Sequence, residues 1–82
     1  MLKIYGTMLC PDCVACREDL DRAGIVYEFR DFALDLKALK EFLAIRDSSE
    51  LFLQIRREGK IGIPCILLPD GSVTLSWESF CK

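Results

Sequence analysis

The feature that most restricts this chain is a pair of cysteines separated by two residues, Cys10-Pro11-Asp12-Cys13. It follows a short apolar segment, Leu2-Lys3-Ile4-Tyr5-Gly6, and precedes a helix-like run from Val14 to Ala23. A helical turn brings the second sulfur of such a pair close to the first. Pro11 suits the first helical position, where its missing N–H goes unused. Cys10 then falls at a helix N-terminus, where unpaired amides and the helix dipole favour an anion. The thiolate is the reactive form, and cysteines in such places ionise at roughly 3.5–7.5 instead of about 8.5. Asp12 opposes this with a nearby negative charge, so the expected activation is moderate. The same spacing also serves half a zinc site or part of an iron–sulfur site. A strand before the pair and a helix after it favour reversible disulfide chemistry.

Composition narrows the alternatives. With 82 residues, the chain has room for one domain with a small core. Its five cysteines are odd in number and unevenly spaced, unlike the even framework of a secreted disulfide scaffold. No apolar run approaches membrane-spanning length, and Lys3 leads at once into a strand-like segment with no secretory pattern. The expected location is the cytoplasm, where a working thiol pair stays reduced. A net charge of −2 gives no reason to expect nucleic acid or an anionic membrane as partner.

Taken in order, the chain reads as strand, helix, strand, helices, then two strands. Leu2–Tyr5 is a strand stopped by Gly6. The next helix carries Cys13, Cys16, Leu20 and Ala23 inward and ends at Gly24. Residues 25–30 (Ile-Val-Tyr-Glu-Phe-Arg) are rich in β-formers and make a second, parallel strand. A helix over Asp35–Arg46 places Leu36, Leu39 and Leu43 on one face and Lys37, Lys40 and Glu41 outside. It is interrupted at Asp47 or Ser48, and Asp47 with Glu50 has capping-box spacing for a third helix that Gly59 ends. Pro64 stands at the mouth of a buried strand, and Pro69-Asp70-Gly71 turns it into a hairpin returning over Ser72–Leu75. Trp77–Lys82 leaves room for barely one helical turn.

This order, with its two anchors Cys10-Pro11-Asp12-Cys13 and Ile63-Pro64 about fifty residues apart, resembles the thioredoxin fold and its small glutaredoxin-like branch. The resemblance spans nearly the whole chain. It implies an α/β domain over residues 1–82, built β-α-β-α-α-β-β, with a four-stranded mixed sheet and a truncated C-terminal helix. It implies a thiol–disulfide oxidoreductase in which Cys10 attacks and Cys13 resolves. Pro64 would be cis and lie beside the thiols, and Ile63 would meet the substrate's backbone, with Pro11 and Asp12 also at the substrate site. Substrates would be protein disulfides or glutathione mixed disulfides. No cofactor would be bound, and electrons would come from glutathione, a reductase or another protein dithiol. The sequence departs from that pattern at Asp12, where an aromatic residue is usual, and after the hairpin, where Leu75-Ser76-Trp77-Glu78-Ser79 replaces a glycine pair. The shortened last helix leaves one sheet face thinly covered, which admits a dimer as well as a monomer.

The chain contains no histidine, so no imidazole serves as base or ligand. Cys16 reads first as a small apolar filler on the inward face of its helix, and Cys65 as filler in a strand. The alternative makes Cys10, Cys13, Cys16 and Cys65 the ligands of a metal or iron–sulfur module, although a fourth ligand does not follow at ferredoxin spacing. Cys81 receives no role. Arg56, Arg57 and Lys60 suit a helix C-terminus and a solvated face; their functional reading is a cationic rim for a glutathione carboxylate or an acidic partner surface.

Overall fold

In the first strand, β1 (Leu2–Gly6), Ile4 and Tyr5 are both buried, yet consecutive strand residues point to opposite faces. The strand is therefore sandwiched. Ile4 packs with Cys16, Leu20 and Ile66 on one side, and Tyr5 with Phe42, Phe52 and Cys65 on the other. The computed structural model describes residues 1–81. Lys82, part of the expected last segment, lies outside the described residues.

After β1 come α1 (Pro11–Arg22), β2 (Tyr27–Asp31), α2 (Leu36–Ser48) and a 3-10 turn, Glu50–Phe52, that runs into α3 (Leu53–Arg57). β3 (Cys65–Leu67), β4 (Val73–Thr74) and a last 3-10 turn, Trp77–Phe80, complete the order. The chain is thus an α/β protein with a four-stranded mixed sheet in the order β2-β1-β3-β4. β2 lies parallel to β1 from Leu2↔Tyr27 to Gly6↔Asp31, while β3 runs antiparallel to β1 and β4 to β3. α1 and the last turn cover the Ile4 face; Phe42 of α2 and Phe52 cover the Tyr5 face.

Helix ends follow the expected chemistry. Gly24 (φ 72°) closes α1: the N–H of Ile25 donates to Leu20 O at 3.0 Å and that of Gly24 to Asp21 O at 3.1 Å. Lys60 and Gly59 (φ 71°) repeat this double closure on Ile55 O and Arg56 O at the end of α3. Ala23 falls at the cap, past the last helical residue, and is exposed instead of inward. Because the closure uses residues 23–25, β2 begins at Tyr27, later than expected, and Ile25 is left as packing against the core.

α2 departs further from expectation. Asp35 is its cap, accepting from Lys37 N at 2.9 Å, and the helix continues through Asp47 to Ser48. Ser49, not Asp47, caps the next turn by accepting from Leu51 N at 3.3 Å. The buried face is Ala38 and Phe42, whereas Leu36 and Leu43 are exposed. Glu41 is turned inward instead of outward: its Oε1 accepts from Tyr5 Oη at 3.0 Å and from Arg30 Nη2 at 2.8 Å. Tyr5 and Arg30 are neighbours across the β1–β2 register, so one carboxylate ties the central strands to α2. Both donors hold Glu41 below the ordinary carboxylate range, the tyrosine hydroxyl foremost.

The hairpin turns at Gly71 (φ 90°), whose N–H donates to Leu68 O at 2.9 Å. Its return arm is only Val73–Thr74, shorter than expected. Trp77 Nε1 donates to Asp19 Oδ2 at 3.0 Å, which seats the last turn on α1. No helix among the described residues is long and apolar enough to cross a membrane.

Candidate active site

The paired cysteines lie where β1 gives way to α1. Residues 7–9 between them are fixed at several points: Met8 N donates to Asp31 Oδ2 at 3.3 Å, Leu9 N to Thr7 Oγ1 at 3.2 Å, and Cys10 N to Thr7 O at 3.1 Å. Cys10 has extended backbone at the N-cap, and its carbonyl accepts the first helical bond, from Val14 N at 3.1 Å. Pro11 occupies the first helical position, as its missing N–H suggested. Cys10 is half-buried and Cys13 fully buried, and all five cysteines are free thiols.

Cys13 is enclosed tightly. A Cβ on Gly6 would stand 2.5 Å from the Cys13 sulfur, so any side chain there would force that sulfur to shift. Burial is the main force pushing the Cys13 thiol up to about 12, and the neighbouring Cys10 adds to it. A hydrogen bond from the Thr7 backbone pulls the other way.

The Ile63–Pro64 peptide bond is cis, as the resemblance implied. Ile63 and Cys10 line one groove of about 770 Å³, with Leu9, Ile55, Lys60 and Ile61 among its other walls. Gly62 (φ 88°) lies in that wall, and a Cβ there would approach the Phe52 ring to 2.6 Å. Arg46 holds the wall from behind, donating from Nε to Ile61 O at 3.1 Å and from Nη2 to Lys60 O at 2.6 Å.

Of the residues singled out from sequence, Cys10 and Ile63 line this groove, and Cys13 and Pro64 are buried. Pro11 and Asp12 are exposed on the first turn of α1 and are not among the groove's walls. Leu9, Ile55, Ile61 and Arg46 were not singled out. A signal for Leu9 and Ile61 was present in their closeness to Cys10 and Pro64, whereas Ile55 reaches the groove from α3. Nothing local in the sequence marks Arg46, whose partners are fourteen and fifteen residues away. Of the cationic rim, Arg56 donates from Nη1 to the carbonyls of Arg46 and Ser49, Arg57 is exposed outside the groove's walls, and Lys60 is the charged groove residue.

The four-cysteine ligand set is not gathered. Cys16 packs with Ile4, Leu20 and Ile66, while Cys65 packs with Tyr5, Phe42 and Phe52 across the sheet. Strand alternation separates them, since Cys65 and Ile66 are consecutive in β3 and point to opposite faces. Among the described residues no three histidine, cysteine or acidic side chains come together as metal ligands. Burial pushes both thiols up to about 12, as suits apolar filler. Cys81 packs against the Cys16 side of the core.

Fold and site together define a class: an α/β protein with a mixed sheet, a paired-thiol centre at its first strand–helix junction, and a cis X-Pro bond beside the same groove. The chain belongs to one family with an uncharacterized protein of Haemophilus influenzae, to which it is 41% identical over 72 residues, covering 88% of this chain and 84% of that protein. No family model and no solved structure matches the chain.

Proposed function

We propose that this protein is a thiol–disulfide oxidoreductase of the glutaredoxin-like, thioredoxin-fold kind, working in a reducing compartment. The observation that carries the reading is the pairing of a half-exposed Cys10 at the N-cap of α1 with a buried Cys13 one turn on, in a groove shared with Ile63 of the cis Ile63–Pro64 bond. The Cys10 thiolate attacks one sulfur of a substrate disulfide; the S–S bond breaks and the distal sulfur leaves as thiolate, taking up a proton. Cys13 then attacks the Cys10 sulfur, releases the second substrate thiol and closes the Cys10–Cys13 bridge. Two electrons have passed to the substrate, and an external dithiol or two glutathione molecules return them.

The site orders these steps. Reduced Cys13 is kept protonated by burial and by Cys10 beside it. Once Cys10 is tied in a mixed disulfide, its part in raising the Cys13 thiol is removed, while burial, the larger cause, remains. Ile63 would offer its backbone to the substrate, as the resemblance implies.

The test is reduction of a small uncharged disulfide by the pre-reduced protein. Cys10→Ser is expected to abolish turnover, and Cys13→Ser to accumulate a mixed disulfide on Cys10 visible by mass. Undiminished turnover by Cys10→Ser refutes the proposal.

A further inference from the structure

We infer that the groove beside Cys10 selects a polypeptide disulfide whose cysteine is flanked by aliphatic residues, and that glutathione disulfide is a poor substrate. This rests on the dithiol reading and narrows it. The aliphatic walls are Leu9, next to Cys10 in the chain, and Ile55, Ile61 and Ile63. Leu9 is 84% exposed and Ile61 55% exposed, so aliphatic surface meets water on both flanks of the attacking sulfur. Covering such surface with aliphatic side chains is favourable, whereas covering it with charge costs desolvation.

Glutathione brings two carboxylates and an ammonium on the single residues that flank its cysteine. The groove offers it one cation, Lys60, which is already paired with Glu58 at 3.2 Å. Of the nearby guanidiniums, Arg46 holds the carbonyls of Lys60 and Ile61 and Arg56 those of Arg46 and Ser49, while Arg57 is exposed and is not among the groove's walls. A chain of net charge −2 adds long-range repulsion toward an anionic ligand. A segment within a protein carries no terminal charges beside its cysteine, and neutral backbone with aliphatic neighbours matches what the walls present. The Arg46 clamp holds one wall in place before the substrate arrives, so little ordering remains to be done on binding.

The experiment is single-turnover oxidation of the pre-reduced full chain by three disulfides at equal concentration, acid-quenched and read by mass. They are glutathione disulfide, the symmetrical disulfide of an end-blocked Ile-Cys-Val peptide, and hydroxyethyl disulfide as an uncharged small reference. The peptide is expected to react at least about tenfold faster than glutathione disulfide, and Ile61→Lys to shrink that ratio several-fold. Ile61 is more than half exposed, so the substitution leaves the core intact. Glutathione disulfide reacting as fast as the peptide, or a ratio unmoved by Ile61→Lys, overturns the inference. If hydroxyethyl disulfide is reduced in either of those cases, the dithiol reading stands and only the selectivity falls. If hydroxyethyl disulfide and both other substrates fail to react, the dithiol reading falls and takes the inference with it.

Discussion

The sulfur of Cys13 rests against the backbone of Gly6, at a place where any Cβ would intrude to 2.5 Å. The last residue of β1 and the second cysteine of α1 are thus fitted to each other. The same Cβ would lie 3.8 Å from the Phe29 ring, so it has little room to deflect that way. Gly6→Ala must therefore push Cys13 and the start of α1 outward. Overpacking of this kind costs about 1–3 kcal/mol. The expected result is a lower urea midpoint, together with slower release of a mixed disulfide trapped on Cys10, because the sulfur that would resolve it under the proposed function has been displaced. A variant with wild-type stability and resolution rate would show that the contact relaxes freely.

Buried thiols make stability depend on alkali. Burial pushes Cys13, Cys16 and Cys65 up to about 12 from an ordinary value of 9.0. Tyr5 is pushed up to about 12 from 10.0, by burial first and by Glu41 second. These are groups whose folded pKa is raised. Between the unfolded and folded values the native state holds protons that the unfolded chain has lost, so unfolding becomes easier as pH rises. Their contribution is complete below about pH 9 and is lost as pH climbs toward about 12. Denaturant midpoints are expected to hold level from about pH 7 to 8.5 and then fall, with a shallower fall in Cys65→Val. A flat profile to about pH 10.5 would contradict the burial of these groups.

The fold was legible where chemistry is local. The glycines at 24, 59 and 71 adopt the positive φ that ends a helix or turns a hairpin. Cys10 and Ile63 come together at one groove as expected and the cis bond falls at the expected place, whereas Pro11 and Asp12 stand outside the groove's walls. Packing was legible only in part. α2 carries two apolar stripes about a third of its circumference apart, Leu36-Leu39-Leu43 and Ala38-Phe42-Ile45. Counting leucines selects the first. The sheet selects the second, because small Ala38 lets the helix approach while Phe42 stacks on Phe32 at 5.3 Å and meets Phe52 edge-on at 6.1 Å. Rotating the helix this way carries Glu41 inward, where Tyr5 and Arg30 receive it. Such a choice depends on shape across the chain, which no local pattern encodes.

Arg46 provides the last prediction, since it links α2 to a wall of the groove. Its guanidinium donates to two successive carbonyls, Lys60 O at 2.6 Å and Ile61 O at 3.1 Å, and its own carbonyl accepts from Arg56. A planar fork suits two adjacent acceptors, whereas an ammonium is a point charge that satisfies them less well. Arg46→Ala removes both bonds and is expected to cost about 1–3 kcal/mol in stability. The functional consequence differs from that of losing a thiol. The Ile61 wall loosens while Cys10 and Cys13 keep their places, so KM for an aliphatic-flanked peptide disulfide should rise several-fold with a much smaller change in kcat. Arg46→Lys should recover part of the loss in both readouts. Equal falls in kcat for the peptide and for hydroxyethyl disulfide, with KM unchanged, would mean that Arg46 supports the thiol centre itself and not the wall that receives the substrate.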